Sequence, residues 1–191
     1  MKKRAVISFN SPVILGMTFA SLAALIIDWI TFGALSQFLA VYYTAWSDPF
    51  MYPRLFTHVL AHADLAHYTG NFLLVLAVGP LVEEKYGSRR LMLMIVITAL
   101  ITGLINIVFF RNVMLLGASG IVFMLILLAS FAGMREGGIP LTVLLVAVLY
   151  IGNEIFAGLF SSDNISHTSH IIGGLCGALF GFVHHGRRLR S

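Results

Sequence analysis

Long stretches of apolar residues alternate with short polar segments along the whole chain. Six such stretches occur, at about 12–30, 65–82, 91–110, 118–134, 139–160 and 168–183. Each is close to the ~20 residues with which an α-helix crosses the hydrocarbon core of a bilayer. Because backbone groups inside lipid must be hydrogen-bonded within their own segment, each stretch is expected to be helical. The pattern therefore predicts an all-α, polytopic membrane protein with six transmembrane helices.

The composition agrees with this fold class. Of the 191 residues, 59% are hydrophobic and only 10% are charged, whereas soluble domains have roughly 25% charged residues. The six stretches leave little sequence for a separate soluble domain. We expect a tail at residues 1–11, one membrane domain at 12–185 with a long loop at about 33–64, and a basic tail at 186–191.

The basic residues are divided unevenly between the two sides of the predicted bundle. When the six stretches are threaded alternately through a membrane, ten of the twelve Lys and Arg residues fall on one side, and only Arg54 and Arg111 on the other. Cytoplasmic loops are enriched in Lys and Arg, so both termini are expected in the cytoplasm. The net charge of +4 is thus a topology signal and predicts no nucleic-acid partner. The basic start followed by an apolar run also fits a cleaved signal peptide, but the run is long for one, which favours an uncleaved first helix.

The loop at about 33–64 is rich in aromatic residues and poor in charge. Disordered linkers are polar, so this segment is expected to be folded, with its Trp and Tyr rings in the lipid headgroup layer. Arg54 is expected to hold the loop by hydrogen bonds to backbone carbonyls, with lipid headgroups as the alternative ligand. Asp28, just before this loop, is interpreted as a solvated helix end.

The segment Gly117-Ala118-Ser119-Gly120 puts a serine at the start of the fourth predicted helix. The flanking glycines would let another group approach the hydroxyl closely, and free N–H groups at the helix start could receive a developing negative charge. Ser119 is therefore a candidate nucleophile. The alternative is structural, because small residues pack membrane helices together and serine is a favoured N-cap.

Imidazole and amide side chains begin the second and sixth stretches, on the same side as Ser119 in this topology. His67 and Asn71 are four residues apart, so they share one helix face and could both donate hydrogen bonds to an oxyanion. His170 could accept the serine proton as a general base. For each residue alone, the alternative role is a polar contact between helices.

Gly173 and Gly177 follow His170 at a spacing that allows close approach of another helix. If that helix is the fourth, His170 and Ser119 can meet. The alternative is a dimer face, which would leave the histidine without a role.

The histidines also allow a different function. His58 and His62 have the spacing of the zinc-binding H-E-x-x-H motif, but Val59 replaces its glutamate. Facing imidazoles from the second and sixth helices, such as His67 and His170, could bind haem or a metal ion. This alternative ranks second because it gives no task to the serine. A third possibility is a membrane-protein binder without catalytic activity.

Taken together, these residues resemble the motifs of the rhomboid intramembrane serine proteases. The resemblance covers about residues 50–183 in order. The matching positions are Arg54 in the long loop, His62, His67 and Asn71 in the second stretch, Glu83 at its inner end, Gly117, Ser119 and Gly120 before the fourth, and His170, Gly173 and Gly177 in the sixth. Five separate matches are far more specific than any one alone.

The resemblance implies a six-helix rhomboid-like bundle and a Ser119–His170 dyad without an acidic third member. It implies that His67, Asn71 and the Ser119 backbone N–H hold the oxyanion, with the other matched positions supporting the site. It further implies no cofactor or metal, and transmembrane proteins as substrates. The expected location is a cell membrane, as in bacterial inner membranes, with the site open to the outer side and lipids as partners.

Three positions depart from the family pattern. The family usually has Trp where this chain has Pro53, and often Ala where it has Ser169. A Tyr usually stands four residues after the nucleophile, whereas this chain has Phe123, which can pack on His170 but offers no hydroxyl. Lowered activity is expected from this last change. By analogy with the family, the fifth stretch with Asn153 and Glu154 is a candidate gate.

Overall fold

The computed structural model describes residues 9–131, 141–146, 148–149, 152 and 164–188. This part of the chain is helical, and its one β-bridge joins Val41 to Leu115. The helices are α1 (Pro12–Ile30), α2 (Ala34–Leu39), α3 (Met51–Thr57), a 3₁₀ turn (His58–Leu60), α4 (Leu65–Tyr86), α5 (Ser88–Phe109), α6 (Ser119–Ser130), α7 (Leu141–Val146) and α8 (Asn164–Arg188). Most of the fifth predicted stretch, including Asn153 and Glu154, lies outside the described residues, as do the ends of both predicted tails.

Three of the described helices have the length and apolarity to cross a membrane. They are α1, α4 and α5, with mean hydropathies of 2.1, 1.5 and 2.6. Large apolar side chains cover their outer surfaces, and Leu73 and Leu93 are 71% and 59% exposed. In water such a surface would be unfavourable, but in a bilayer it faces lipid. The protein is therefore a multi-pass membrane protein, as its hydropathy pattern predicts.

Helix α6 is the central helix of the bundle. It has only 12 residues, and it packs against α4, α5, α8 and the 3₁₀ turn. Its side chains from Ile121 to Leu125, and again Leu127 and Leu128, are buried. Because a helix that is apolar on every side must be surrounded, the sequence of α6 suits this central position. Ser119 is its first residue and is half-buried.

Helix α4 carries polar residues at both ends. The Asp64 carboxylate accepts the backbone N–H of His67 at 2.7 Å, which caps the helix start. At the other end, α4 continues through Pro80 to Tyr86 and stops at Gly87, whose φ is 84°. Pro80 therefore lies within the helix, and the predicted stretch 65–82 is one turn too short. A glycine fits this turn because other residues rarely adopt positive φ.

Glu83 joins the end of α4 to the start of α1. Its two carboxylate oxygens accept the backbone N–H groups of Val13 and Ile14, both at 3.0 Å. These N–H groups belong to the first turn of α1, where no intrahelical acceptor exists. The Ser11 side chain makes no capping hydrogen bond. The buried Glu83 carboxylate thus supplies the cap from a neighbouring helix, whereas Glu84 is exposed.

The loop between α1 and α4 is folded, as its composition predicts. Helices α2 and α3 lie within it, and a small apolar cluster of Val41, Met51 and Leu55 packs on Ile107 and Leu115. Asp28 corrects one expectation, because it is buried rather than solvated and accepts the Ser36 N–H at 2.6 Å. The contact follows from the turn at residues 31–33, which brings α2 back onto the end of α1.

Arg54 fastens this loop from within α3. Its Nε donates to the Phe38 carbonyl at 3.2 Å, and its guanidinium lies 4.4 Å from the centre of the Tyr42 ring. Asp48 is 3.8 Å away, and hydrogen bonds from Thr44 and the Phe50 N–H lower the pKa of that carboxyl. The predicted bond from Arg54 to a loop carbonyl is therefore present.

Candidate active site

Two of the described helices are in very close contact beside Ser119. Helices α6 and α8 approach so closely that a methyl group at Gly173 would overlap the Gly120 carbonyl oxygen, and one at Gly177 would overlap the Met124 carbonyl oxygen. From the opposite direction, a methyl group at Gly120 would lie 3.3 Å from the carbonyl oxygen of Ser169. The small residues on both helices therefore allow backbone-to-backbone contact. The partner of the α8 glycines is α6, the fourth predicted helix.

His170 lies on the side of α8 that faces α6. Its ring stacks on Phe123, with the two centroids 4.4 Å apart and the planes 8° from parallel. Ser119 and Phe123 are four residues apart on α6, so they share a helix face. His170 is thus held over the face of α6 that begins with Ser119. His167, one turn earlier on α8, is edge-on to His170 with centroids 6.4 Å apart.

His67 and Asn71 approach the same place from α4. A methyl group at Gly117 would lie 2.8 Å from His67 Nε2 and 3.8 Å from Asn71 Nδ2. Gly117 also has a φ of 117°, so both its backbone conformation and the His67 ring require glycine there. The His67 and His170 imidazoles are within electrostatic range of each other. Asn71 is buried, and its Nδ2 has no hydrogen-bond partner among the described residues.

The segment before Ser119 is fixed by two successive hydrogen bonds. The Gly117 N–H donates to the His58 carbonyl at 2.9 Å, and the Ala118 N–H donates to His62 Nε2 at 3.3 Å. His62 Nδ1 lies 3.3 Å from the Leu60 carbonyl, to which it must donate. His62 is therefore neutral, with its proton on Nδ1. Burial and the neighbouring His67 lower its pKa to about 4.

His58 has a structural role that its sequence position does not reveal. Besides its carbonyl bond to Gly117, its buried ring donates from Nε2 to the Ala99 carbonyl of α5 at 3.1 Å. Burial lowers the pKa of this imidazole to about 4. His58 thus connects α5 to the segment before Ser119. The H-x-x-x-H spacing suggested a metal motif, whereas the two side chains here hold backbone groups.

Most of the predicted site residues meet around Ser119. The residues brought together are Ser119, His170, His67, Asn71, His62, Gly117, Gly120, Phe123 and Gly173. Gly177 lies one turn further along α8, and Arg54 acts in the loop. Glu83 is at the opposite end of α4, about 24 Å from His67 at 1.5 Å per residue. Within the described ranges, no three His, Cys, Asp or Glu side chains form a group that could hold a metal ion.

The sequence profile of the Rhomboid domain matches residues 49–187. This is most of the chain, and it includes the serine segment and the histidines of α4 and α8. The chain belongs to the rhomboid family. The matched range also agrees with the extent of the motifs noted in the sequence, so the resemblance they suggested is confirmed.

Named relatives of this rhomboid protein are bacterial. It is 33% identical over 132 residues to rhomboid protease GluP of Bacillus subtilis (strain 168), a match that covers 66% of this chain and 25% of the relative. It is 29% identical over 177 residues to rhomboid protease GlpG of Salmonella typhi and of Salmonella newport (strain SL254). Those matches cover 87% of this chain and 62% of each relative. The chain thus spans only part of the length of these relatives.

Proposed function

We propose that this rhomboid protein is an intramembrane serine endopeptidase that cleaves membrane segments of other proteins. The observation that carries the proposal is the contact of α6 with α8, which sets the His170 ring over the helix face that starts with Ser119. The relatives named rhomboid proteases support the same reaction. A serine at a buried helix start, beside an imidazole and two further donors, has the groups that acyl transfer requires.

In this proposal Ser119 is the nucleophile and His170 its base. The Ser119 Oγ attacks the scissile carbonyl while the His170 imidazole takes the hydroxyl proton, and it later gives this proton to the leaving amine. A water molecule then hydrolyses the acyl-enzyme with the same base. The Phe123 ring keeps the imidazole plane fixed without adding a charge. The proposed dyad works without an acidic third member, as the family resemblance implies.

The developing oxyanion would be held at the start of α6. Asn71 Nδ2 is a buried donor beside Gly117 that has no hydrogen-bond partner in the described part of the chain, and His67 and the Ser119 N–H complete the set. Donors fixed before the reaction stabilise charge without reorganising, and one such donor contributes about 10²–10³ in kcat. His62 supports them indirectly, because its bond to Ala118 sets the backbone just before Ser119.

The proposed topology follows from the basic residues. Both termini lie in the cytoplasm, because ten of the twelve Lys and Arg residues are on that side. The starts of α4 and α6 are then at the outer side, so the site opens there in a bacterial inner membrane. The substrates are transmembrane proteins, cleaved near the outer interface.

Labelling by a fluorophosphonate probe in detergent tests the nucleophile without knowledge of the substrate. We expect the wild-type protein to be labelled and Ser119→Ala to be unlabelled. His170→Ala should slow labelling at least 100-fold, within the range typical of a lost general base. Ser130→Ala is the matched control, because that serine lies at the other end of α6 and its hydroxyl donates to the Ile126 carbonyl at 2.9 Å.

Labelling of Ser119→Ala at the wild-type rate would refute the proposal. A Soret band or bound metal that is lost in His67→Ala and His170→Ala would favour the haem or metal alternative. Capture of membrane proteins without labelling of the folded wild-type protein would indicate a non-catalytic binder.

A further inference from the structure

A cleft of about 570 Å³ opens between the first loop and the turn that follows α5. Its polar lining consists of Gln37, Tyr42, Tyr43, Arg111 and Asn112. None of these residues belongs to the proposed catalytic site, and the family motifs noted in the sequence do not include them. The cleft is therefore a separate feature of this chain.

Arg111 provides the positive charge of the cleft. Its guanidinium lies 4.7 Å from the centre of the Tyr43 ring, an arrangement that orients the cation without neutralising it. The other guanidinium of this region, on Arg54, differs because Asp48 and the Phe38 carbonyl are beside it. Across the described part of the chain, no carboxylate pairs with Arg111. Arg111 is therefore available to an external anion.

Because α5 has the length and apolarity to cross a membrane, its ends mark where the phosphates of a bilayer would lie, and the cleft is beside one of these ends. Helix α5 ends at Phe109, two residues before Arg111, and the exposed Phe109 ring marks the edge of the apolar surface. Val113 and Met114 complete the lining with exposed apolar side chains. A cationic and polar wall next to an apolar one matches an amphipathic ligand, with a charged group in the cleft and a chain along the helix.

The two walls of the cleft are held together before any ligand binds. Val41 and Leu115 exchange backbone hydrogen bonds of 3.0 and 2.9 Å. The buried Asn106 amide donates to the carbonyls of both walls, to Val41 at 3.2 Å and to Val113 at 3.0 Å. A cleft with fixed walls loses little conformational entropy on binding, which favours affinity.

We propose that the Arg111 cleft binds the phosphate group of an anionic phospholipid from the adjacent leaflet. The guanidinium can donate two parallel hydrogen bonds to phosphate oxygens, and the Asn112 amide is a further donor at the cleft wall. The apolar residues Val113 and Met114 would contact the start of an acyl chain. The bound lipid would contact both the first loop and the segment after α5. This segment continues through Leu115 to Ser119, four residues later.

Lipid retention measured by native mass spectrometry tests this site. The purified protein is exchanged into detergent micelles with equal amounts of phosphatidylglycerol and phosphatidylcholine. We expect the wild type to retain phosphatidylglycerol preferentially. In Arg111→Gln this preference should be about fivefold weaker, which is the effect of removing one basic residue near an anionic lipid surface. Asn112→Asp should have a similar effect, because it places a competing carboxylate beside the guanidinium. Arg90→Gln is the matched control, since it removes the same charge from an exposed position at the opposite end of the bundle.

Unfolding temperatures in detergent micelles that contain phosphatidylcholine alone establish that each variant is folded. Unchanged phosphatidylglycerol preference in both folded Arg111→Gln and Asn112→Asp would overturn the proposal. An equal loss in Arg90→Gln would overturn it as well, because the effect would then reflect net charge. Displacement of the retained lipid by millimolar inorganic phosphate would refute a lipid as occupant and assign the cleft to the free anion. None of these readouts requires proteolysis, so they are independent of the proposed catalytic function.

Discussion

Among single residues, Phe123 has the most direct effect on the proposed base. Its ring lies parallel to the His170 imidazole at 4.4 Å, and a phenylalanine carries no hydroxyl that could bond to the imidazole. The flat contact is therefore one of the contacts that orient the imidazole. Stacked ring pairs contribute about 0.5–1.5 kcal/mol beyond the area that they bury.

Replacement of Phe123 by leucine should slow fluorophosphonate labelling of Ser119 by roughly two- to tenfold, the kinetic equivalent of that contact. Leucine keeps most of the buried volume but offers no flat face. Phe123→Tyr, which keeps the face and adds the hydroxyl usual in the family, should be labelled at least as fast as wild type. A Phe123→Leu protein that folds and is labelled at the wild-type rate would contradict this role of the ring.

Other residue roles show what sequence reasoning could and could not reach. His67, Asn71 and His170 are identifiable because polar side chains are rare in membrane helices. The His58 contact with Gly117 is not identifiable, because its acceptor is a backbone carbonyl, which every residue has. The buried contact of Asp28 is not identifiable either, because its partner, the Ser36 N–H, is brought to it only by the turn after α1. Roles that depend on tertiary contacts with backbone groups leave little trace in sequence.

At the level of elements, helix existence was easier to predict than helix partners. The apolar length of α1 and α5 is a local property, so their boundaries agree with the sequence pattern to within three residues. The end of α4 was harder, because Pro80 is tolerated within the helix. The sequence allows the α8 glycines to pack either on the fourth helix or on a second copy of the chain, and only the tertiary structure distinguishes the two. There, the contact places backbone against backbone at Gly173 and Gly177.

Gly173→Ala should therefore destabilise the protein and slow labelling of Ser119. The added methyl group meets the Gly120 carbonyl, which belongs to a helix backbone and cannot turn aside, and overpacking of this kind costs about 1–3 kcal/mol. Gly181→Ala should have a smaller effect, because it meets the Phe131 ring, a side chain. The measurements are the unfolding temperature in detergent and the labelling rate.

Gly16→Ala is the matched control for this series. Gly16 is also in a helix, but among the described residues no atom outside that helix's own backbone lies within 4 Å of the position its methyl group would occupy. Alanine favours helices over glycine by about 1 kcal/mol, so an unchanged or slightly raised unfolding temperature is expected. Equal losses in Gly16→Ala and Gly173→Ala would mean that the α6–α8 contact is not the cause.

At the level of the whole molecule, the 3₁₀ turn and the residues after it connect otherwise separate parts. His58 reaches α5 with its ring and the serine segment with its carbonyl, and His62 reaches the next residue of that segment. The Val41–Leu115 bridge joins the first loop to the same segment. The geometry at Ser119 therefore depends on parts of the chain that are remote in sequence. His62 must be neutral to accept the Ala118 N–H, and burial disfavours the charged form of His58.

The stability of the folded protein should consequently fall in mild acid. His58 and His62 have pKa values of about 4 when folded, compared with about 6.5 when unfolded. The unfolded chain then binds more protons between these values, so stability is complete above pH 6.5 and is lost as the pH falls towards 4. Each ring accounts for about 3 kcal/mol over that window at 1.36 kcal/mol per pKa unit.

Unfolding in detergent, followed from pH 7.5 to pH 4, measures this effect directly. Replacement of both histidines by glutamine, which keeps an amide donor and acceptor but cannot be protonated, should flatten the pH dependence while lowering stability at pH 7.5. The difference between the two proteins in the slope of stability against pH measures the contribution of the two imidazole rings, since the buried carboxylates, such as Glu83, remain in both proteins. Labelling of Ser119 in the folded protein should decline as the pH approaches 4, where His62 becomes protonated and can no longer accept the Ala118 N–H. If the double variant loses stability with acid as steeply as the wild type, the neutral histidines are not what makes the serine segment acid-sensitive.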